Sequence, residues 1–214
     1  MWHLEDKQHI SPEQAAFRQV QSTEDQIIYI AQAIANAFKD KKHTLALWID
    51  LEKAFDKVWR EGLKLKMQQC GIAGRMYKWI SLYRHNWKAR TQIKHHQSRK
   101  QALRQGIPQG GVLSPTVFLT FIKDITDKLL KNVQEAIYAD DFALRFSEEY
   151  ASTANYRLQL ALQVMETWTR SWVVKINEKE TTYTIFSLST QQHKVKLQIS
   201  SEELHAEDSQ HNWD

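Results

Sequence analysis

Apolar residues recur at helical spacing early in the chain: Ile27, Ile30, Ala31, Ile34 and Phe38 follow Ser22-Thr23-Glu24-Asp25, where hydroxyl and acidic side chains can satisfy the free amides of a helix start. This predicts a helix over about Thr23–Lys39. The next apolar run, Thr44 to Ile49, is short enough for a buried strand and ends at Asp50, which is therefore expected at a strand's C-terminal end. Helical spacing returns over Glu61–Cys70, with Gly71 as its C-cap, and over Gly74–Asn86. Ala89–Lys94 alternates weakly and is predicted to pair with Lys100–Arg104 across the polar turn His95-His96-Gln97-Ser98.

The glycines of Gln105–Gly111 break the pattern, and Ser114 as N-cap with Pro115 at the first helical position predicts a helix to about Lys131, with Val117, Phe118, Phe121, Ile125 and Leu129 on one face. Gln134–Tyr138 and Phe142–Phe146 flank Ala139-Asp140-Asp141 and predict a hairpin with both aspartates at its turn. A helix over Ser152–Ser171 is expected to carry Tyr156, Leu160, Val164 and Trp168 as its stripe, followed by strands near Val173–Ile176, Thr182–Leu188 and Lys194–Ile199. The order of elements predicts an α+β domain with helices against one face of an antiparallel sheet over residues 1–199, and a frayed acidic tail over 200–214.

With 214 residues, 42% hydrophobic and 25% charged, the composition fits one globular domain. Eight Trp are scattered without a fixed interval, so they indicate packing rather than a repeat. Cys70 is the only cysteine, which excludes an intramolecular disulfide and a multi-cysteine zinc site and fits an intracellular compartment, nucleus or cytoplasm. No stretch approaches the ~20 apolar residues that span a bilayer, so no membrane partner is expected.

Charge adds more through its distribution than through its total of +4: from Gly62 to Lys123 there is no Asp or Glu, while the segment after Ile199 has no Lys or Arg. A one-signed basic block suits a polyanion, because each phosphate neutralised releases counterions; a solvated basic helix face has the same sequence signature.

Asp50 at a strand end and Asp140-Asp141 at a hairpin turn, about ninety residues apart, would form a carboxylate cluster if the two strands were neighbours in one sheet. Two-metal nucleotidyl transfer needs such carboxylates, bridging ions roughly 3.5–4 Å apart. Taken singly, an aspartate pair in a turn is more simply a solvated turn.

The surrounding residues decide between these readings. Ile49-Asp50-Leu51-Glu52-Lys53-Ala54-Phe55-Asp56-Lys57-Val58-Trp59, Arg104-Gln105-Gly106-Ile107-Pro108-Gln109-Gly110-Gly111-Val112-Leu113-Ser114-Pro115, Tyr138-Ala139-Asp140-Asp141 and Ser22-Thr23-Glu24-Asp25-Gln26 resemble, in order and spacing, the reverse transcriptases of non-LTR retrotransposons, in particular the Jockey-like group. The resemblance runs from about Leu4 to Ile199.

It implies a polymerase palm with partial fingers and no thumb, acting on an RNA template, a DNA primer and deoxynucleoside triphosphates with Mg²⁺, or Mn²⁺ in its place. Asp50 and Asp140 then correspond to direct metal ligands, Asp141 to a supporting one, and the carbonyl of Leu51 to a further contact. Phe55 matches the ring that excludes a ribose 2′-hydroxyl, and Gln109 and Gly110 match the segment against template and nucleotide. Arg84, Lys88, Arg90, Lys94, Arg99, Lys100 and Arg104 become candidates for the heteroduplex backbone.

The chain departs from the family pattern at three places. The basic fingers segment upstream is not in this sequence. Arg18-Gln19-Val20-Gln21-Ser22-Thr23 replaces the family's Arg-Gln-Gly-Arg-Ser-Thr. In Asn177-Glu178-Lys179-Glu180-Thr181, either Glu180 stands where the family has a lysine for the leaving pyrophosphate or Lys179 takes that place by a one-residue shift. The resemblance also implies that fingers, thumb and endonuclease regions belong to a longer parent protein. Two functions follow as expectations: RNA-directed DNA polymerase, or a catalytically inactive palm remnant that binds nucleic acid at most. An RNA-copying RNA polymerase fits Phe55 and Tyr138-Ala139 less well.

Overall fold

The computed structural model describes residues 2–7, 9–83, 87–189, 191 and 193–207. In chain order these residues form α1 (Trp2–Asp6), α2 (Thr23–Lys39), β1 (His43–Ile49), α3 (Ala54–Lys57), α4 (Arg60–Gln69), α5 (Gly74–Tyr83), β2 (Lys88–Ala89), β3 (Gln92–Ile93), β4 (His96–Gln97), β5 (Gln101–Ala102) and α6 (Ser114–Ile122). They continue with β6 (Gln134–Tyr138), β7 (Asp141–Glu148), α7 (Ala151–Ser171), β8 (Thr182–Phe186), β9 (Gln198–Ile199), β10 (Glu202–Glu203) and β11 (His205–Glu207). The fold is mixed α/β. The chain divides into two compact units, one of Met1–Ile10 with Lys53–Lys123 and one of Ser11–Glu52 with Asp124–Asp214.

The second unit is built on a five-stranded sheet in the order β11-β8-β1-β7-β6. Its pairings are antiparallel except β11 with β8, which run parallel. The segment after Ile199, expected to be frayed, forms strands as far as Glu207: β10 pairs with β9 in a separate two-stranded sheet and β11 joins the five-stranded one; residues 208–214 lie outside the described residues. On β7, Arg145 lies under the Tyr29 ring of α2, 4.2 Å from its centroid, while the adjacent Phe146 meets Arg157 of α7 at 6.0 Å. Neighbouring strand residues point to opposite faces, so α2 and α7 cover opposite faces of the sheet and not one.

The Ser22 side chain accepts the Asp25 amide while Asp25 accepts the Ser22 amide, and this capping box fixes the start of α2 at the residue its sequence predicts. On α7 the buried stripe is Ala151, Ala154, Leu158, Ala161, Leu162, Met165 and Thr169. The expected stripe is rotated off the sheet: Tyr156 is exposed, and Leu160, Val164 and Trp168 line a groove of about 460 Å³ with Ile125 and Trp172. Fourfold spacing drifts around a 3.6-residue helix, and two mixed apolar faces cannot be ranked without knowing what each meets.

The strand expected at Val173–Ile176 is reduced to one antiparallel bridge between Ile176 and Leu51, and the last strand shortens to Gln198–Ile199.

In the first unit, α4 packs on α6, and Leu63, Met67, Phe118 and Phe121 are buried. The helix expected to reach Lys131 ends at Ile122, and Leu113 rather than Ser114 is its N-cap; Ser114 Oγ instead donates to the carbonyl of Pro108. The basic segment is a ribbon of two nested hairpins, β2 with β5 and β3 with β4. Lys94 takes a positive φ of 53°, so the inner hairpin closes at Lys94-His95 and not across His95–Ser98 as expected.

Candidate active site

Asp50 directly follows β1, and the register Ile49↔Phe142 carries one step further to set Asp50 opposite Asp141, the first residue of β7. Both residues are in phase with Trp48 and Ala143 and therefore project on the α2 face. Tyr138 pairs with Asp141, which leaves Ala139-Asp140 as a two-residue turn with φ of 57° at Ala139. The hairpin is as predicted, except that only Asp140 lies at the turn.

The chain beyond β1 is tied down by Asn177. Its amide donates to the Asp50 carbonyl at 2.9 Å, its side chain donates to Asp50 Oδ2 at 3.0 Å, and its own carbonyl accepts the Thr181 amide at 2.9 Å. Thr181 Oγ1 in turn accepts the Asp50 amide at 3.3 Å. Asn177 and Thr181 thus hold Asp50, a role that spacing alone did not assign; the Asn and Thr that bracket Glu180 in the motif were the available signal.

Asp140 and Asp141 both feel the Asp50 charge. Burial raises the Asp140 carboxyl above the usual aspartate range and the Asp50 charge adds to this, with a backbone hydrogen bond pulling the other way. Burial raises Asp141 too, assisted by the charges of Asp140 and then Asp50. Among the described residues none of the three pairs with a Lys or Arg. Asp50 and Asp141 line a cavity of about 410 Å³ whose other charged groups among the described residues are Glu180 and Glu207. An all-acidic lining is complementary to cations. Among the described residues no three His, Cys, Asp or Glu side chains enclose a metal ion by themselves, so an ion here needs additional oxygens, as Mg²⁺ takes from water and substrate phosphates. Glu180 lines this cavity and Lys179 does not.

A raised carboxyl pKa makes ionisation costly to the folded chain: nothing is lost below the ordinary aspartate range near ~3.9, and the loss is complete above the raised values. A divalent ion bound to the ionised cluster offsets that loss. Mn²⁺ is therefore expected to raise the melting temperature at pH 7, by an increment that shrinks as pH falls through the aspartate range. Asp141→Asn should raise the metal-free melting temperature and reduce the increment. Thermal melts in EDTA and in Mn²⁺ measure both, and an increment undiminished at pH 4 would count against metal binding here.

In the first unit, Phe55 on α3 is half-buried and stacks on Phe118, ring centroids 4.2 Å apart and planes 17° from parallel. The core role and a ring available at the surface coexist. The loop after the ribbon is docked on this helix: the Gly106 amide donates to the Val58 carbonyl and the Ile107 amide to the Phe55 carbonyl, both at 3.0 Å. Gln109 and Gly110 are exposed, Gln109 lying 3.5 Å from Asp56 Oδ1 and Gly110 taking φ of 79°. Lys88, Arg90, Lys94, Arg99, Lys100 and Arg104 are all exposed, and none pairs with a carboxylate among the described residues. Arg84 lies outside the described residues. Lys66, part of the same basic block, is fully buried and does not belong to this surface.

Strand-end and hairpin carboxylates thus lie beside an acidic cavity, and the family model for "Reverse transcriptase (RNA-dependent DNA polymerase)" matches residues 1–204. The chain belongs to the reverse transcriptase family. Among curated relatives it is 31% identical over 183 residues to the probable RNA-directed DNA polymerase from transposon BS of Drosophila melanogaster, covering 83% of this chain and 20% of that one. To the RNA-directed DNA polymerase from mobile element jockey of the same organism it is 26% identical, with the same coverage. The chain thus spans about a fifth of the length of these relatives. Among solved structures, apo telomerase from Candida tropicalis superposes with a TM-score of 0.62 at 10% identity, over 95% of this chain and 38% of that one. The form truncated from its C-terminal domain gives 0.60 at 12% identity, over 90% and 39%. At such identities these likenesses establish the fold.

Proposed function

We propose that the chain is the catalytic part of an RNA-directed DNA polymerase, in which a primer 3′-hydroxyl attacks the α-phosphate of a deoxynucleoside triphosphate and pyrophosphate leaves. The observation that carries this reading is the placement of Asp50 opposite Asp141 at the ends of paired strands, with Asp140 in the adjoining turn, beside a cavity whose charged lining among the described residues is acidic. In this reading the sheet-bearing unit is the palm, the unit with Phe55 and Gln109 contributes partial fingers, and residues 1–199 form the reverse transcriptase domain, with 200–214 as its acidic tail. No thumb is assigned.

Reverse transcriptases use divalent ions; Mg²⁺, or Mn²⁺ in its place, would lower the pKa of the primer hydroxyl and offset charge on the leaving pyrophosphate. Asp50 and Asp140 would hold the ions, Asp141 would support them and the Leu51 carbonyl would add an oxygen. Asn177 keeps Asp50 oriented. Phe55 would select deoxynucleotides by blocking the 2′-hydroxyl, with Gln109 and Gly110 against nucleotide and template. The exposed basic ribbon would bind the heteroduplex backbone through charge, with salt-dependent affinity.

Incorporation on a primed RNA template, dependent on Mg²⁺ or Mn²⁺, tests this reading. Phe55→Ala is expected to raise ribonucleotide use relative to deoxynucleotide by about tenfold or more. Glu180 in the cavity favours a rival, an inactive remnant, because a carboxylate there repels pyrophosphate. Salt-sensitive duplex binding without incorporation, even in Mn²⁺, would decide for it.

A further inference from the structure

Gln14 carries a polar side chain that no catalytic role explains, and it is 2% exposed. The segment around it runs parallel to the edge strand β6: the Ile137 amide donates to the Glu13 carbonyl at 3.2 Å, and the Ala15 amide donates to the Ile137 carbonyl at 2.9 Å. A parallel ladder continued by one rung would next join Ala139 to Ala15 and Phe17. It does not, because Phe17 turns into the left-handed region at φ 59° and the backbone leaves the edge.

The Gln14 side chain supplies that rung. Its Oε1 accepts the Ala139 amide at 2.8 Å and its Nε2 donates to the Ala139 carbonyl at 3.1 Å, so a primary amide takes the place of a peptide group. The Ala16 amide, donating to the same Oε1 at 2.9 Å, fixes the side chain's orientation. The peptide held in this way belongs to the first residue of the two-residue turn, and the second is Asp140.

Ala139 is 9% exposed and has a positive φ that glycine adopts without cost and alanine does not. Without Gln14 its amide and carbonyl would both lose their partners at a strained, buried position. The turn would relax, and the Asp140 carboxylate would move relative to Asp50.

We infer that Gln14 is a positioning residue for the metal-binding carboxylates: its side-chain amide extends the β6 edge by one rung and sets the direction in which Asp140 faces Asp50. The inference rests on the proposed metal role of Asp140. It concerns a residue 125 positions away from the turn in sequence.

Mn²⁺ binding, followed by electron paramagnetic resonance on the full chain without nucleic acid, tests it for wild type, Asp140→Ala, Gln14→Ala and Ala139→Gly, and for Gln14→Ala combined with Ala139→Gly. Circular dichroism confirms folding in each case. Gln14→Ala is expected to weaken binding by about tenfold or more, within the range found when a partner of a metal ligand is removed. Ala139→Gly alone should change little. In the Gln14→Ala background it should restore part of the affinity, since glycine removes the strain that Gln14 holds in check. A merely structural role would lower the melting temperature but leave the two substitutions additive in Mn²⁺ affinity, and that result would overturn the inference. If Asp140→Ala weakens binding and Gln14→Ala does not, the inference falls while the site reading survives. Equal binding by wild type and Asp140→Ala would remove the site reading and the inference together. Should Gln14→Ala fail to fold, Gln14→Glu retains both accepted bonds but sets a carboxylate oxygen against the Ala139 carbonyl where the donating NH₂ had been. Weakened Mn²⁺ binding in that variant supports the inference, and wild-type binding contradicts it.

Discussion

Asp140→Ala is expected to reduce metal-dependent primer extension by more than about a hundredfold, the upper end of the cost of altering a residue one step removed from a metal. The same substitution should leave the chain folded. Burial and the Asp50 charge raise the Asp140 carboxyl, so its ionised form opposes folding at neutral pH, and removing it relieves repulsion in the cluster. The expected combination is therefore lost extension with a metal-free melting temperature no lower than wild type. Single-turnover extension at saturating deoxynucleotide, beside thermal melts in EDTA, measures both. Extension surviving in the variant would exclude Asp140 as a metal ligand, and a folded but inactive wild type would favour the remnant reading.

The second large effect is expected from Gly106→Ala. Gly106 takes φ of 80°, and a Cβ there would sit 2.6 Å from the Asp56 carbonyl oxygen and 2.9 Å from the Asp56 Cα. Both neighbours are backbone, so no side-chain rotation relieves the clash. Left-handed strain adds about 1–2 kcal/mol for alanine. The loop would have to lift from α3 and lose the amide bonds from Gly106 to Val58 and from Ile107 to Phe55. A total of about 2 kcal/mol or more corresponds to a fall of roughly 4–8 °C in melting temperature for a chain of this size. Phe55 would also lose the contact that fixes its backbone, so discrimination against ribonucleotides should loosen in parallel. A variant that melts and discriminates like wild type would show that the loop has room elsewhere.

Lys66 shows where the sequence reading of charge fails. It lies in an acid-free basic block, yet it is fully buried on α4, whereas six cations of the ribbon are exposed. Charge patterning identifies a region, and burial decides which of its members meet solvent. Tyr156 and Leu158 make the same point on α7, since two apolar stripes compete and only the partner surface ranks them.

The sequence by itself determined what is set by neighbours along the chain. Ser22 and Asp25 start α2, the apolar run to Ile49 makes a strand that delivers Asp50 to its end, and Tyr138-Ala139-Asp140-Asp141 makes a hairpin. Capping, strand length and turn chemistry are local, and the motifs are runs of adjacent residues. The tertiary structure alone decided the register that places Asp50 opposite Asp141, the coverage of both sheet faces, and the parallel strand beyond Ile199. It also decided the grips of Asn177 on Asp50 and of Gln14 on Ala139. Each of these joins residues far apart in sequence through hydrogen bonds whose geometry exists only once the sheet has closed, because a slip of one residue would turn the same side chains to the other face.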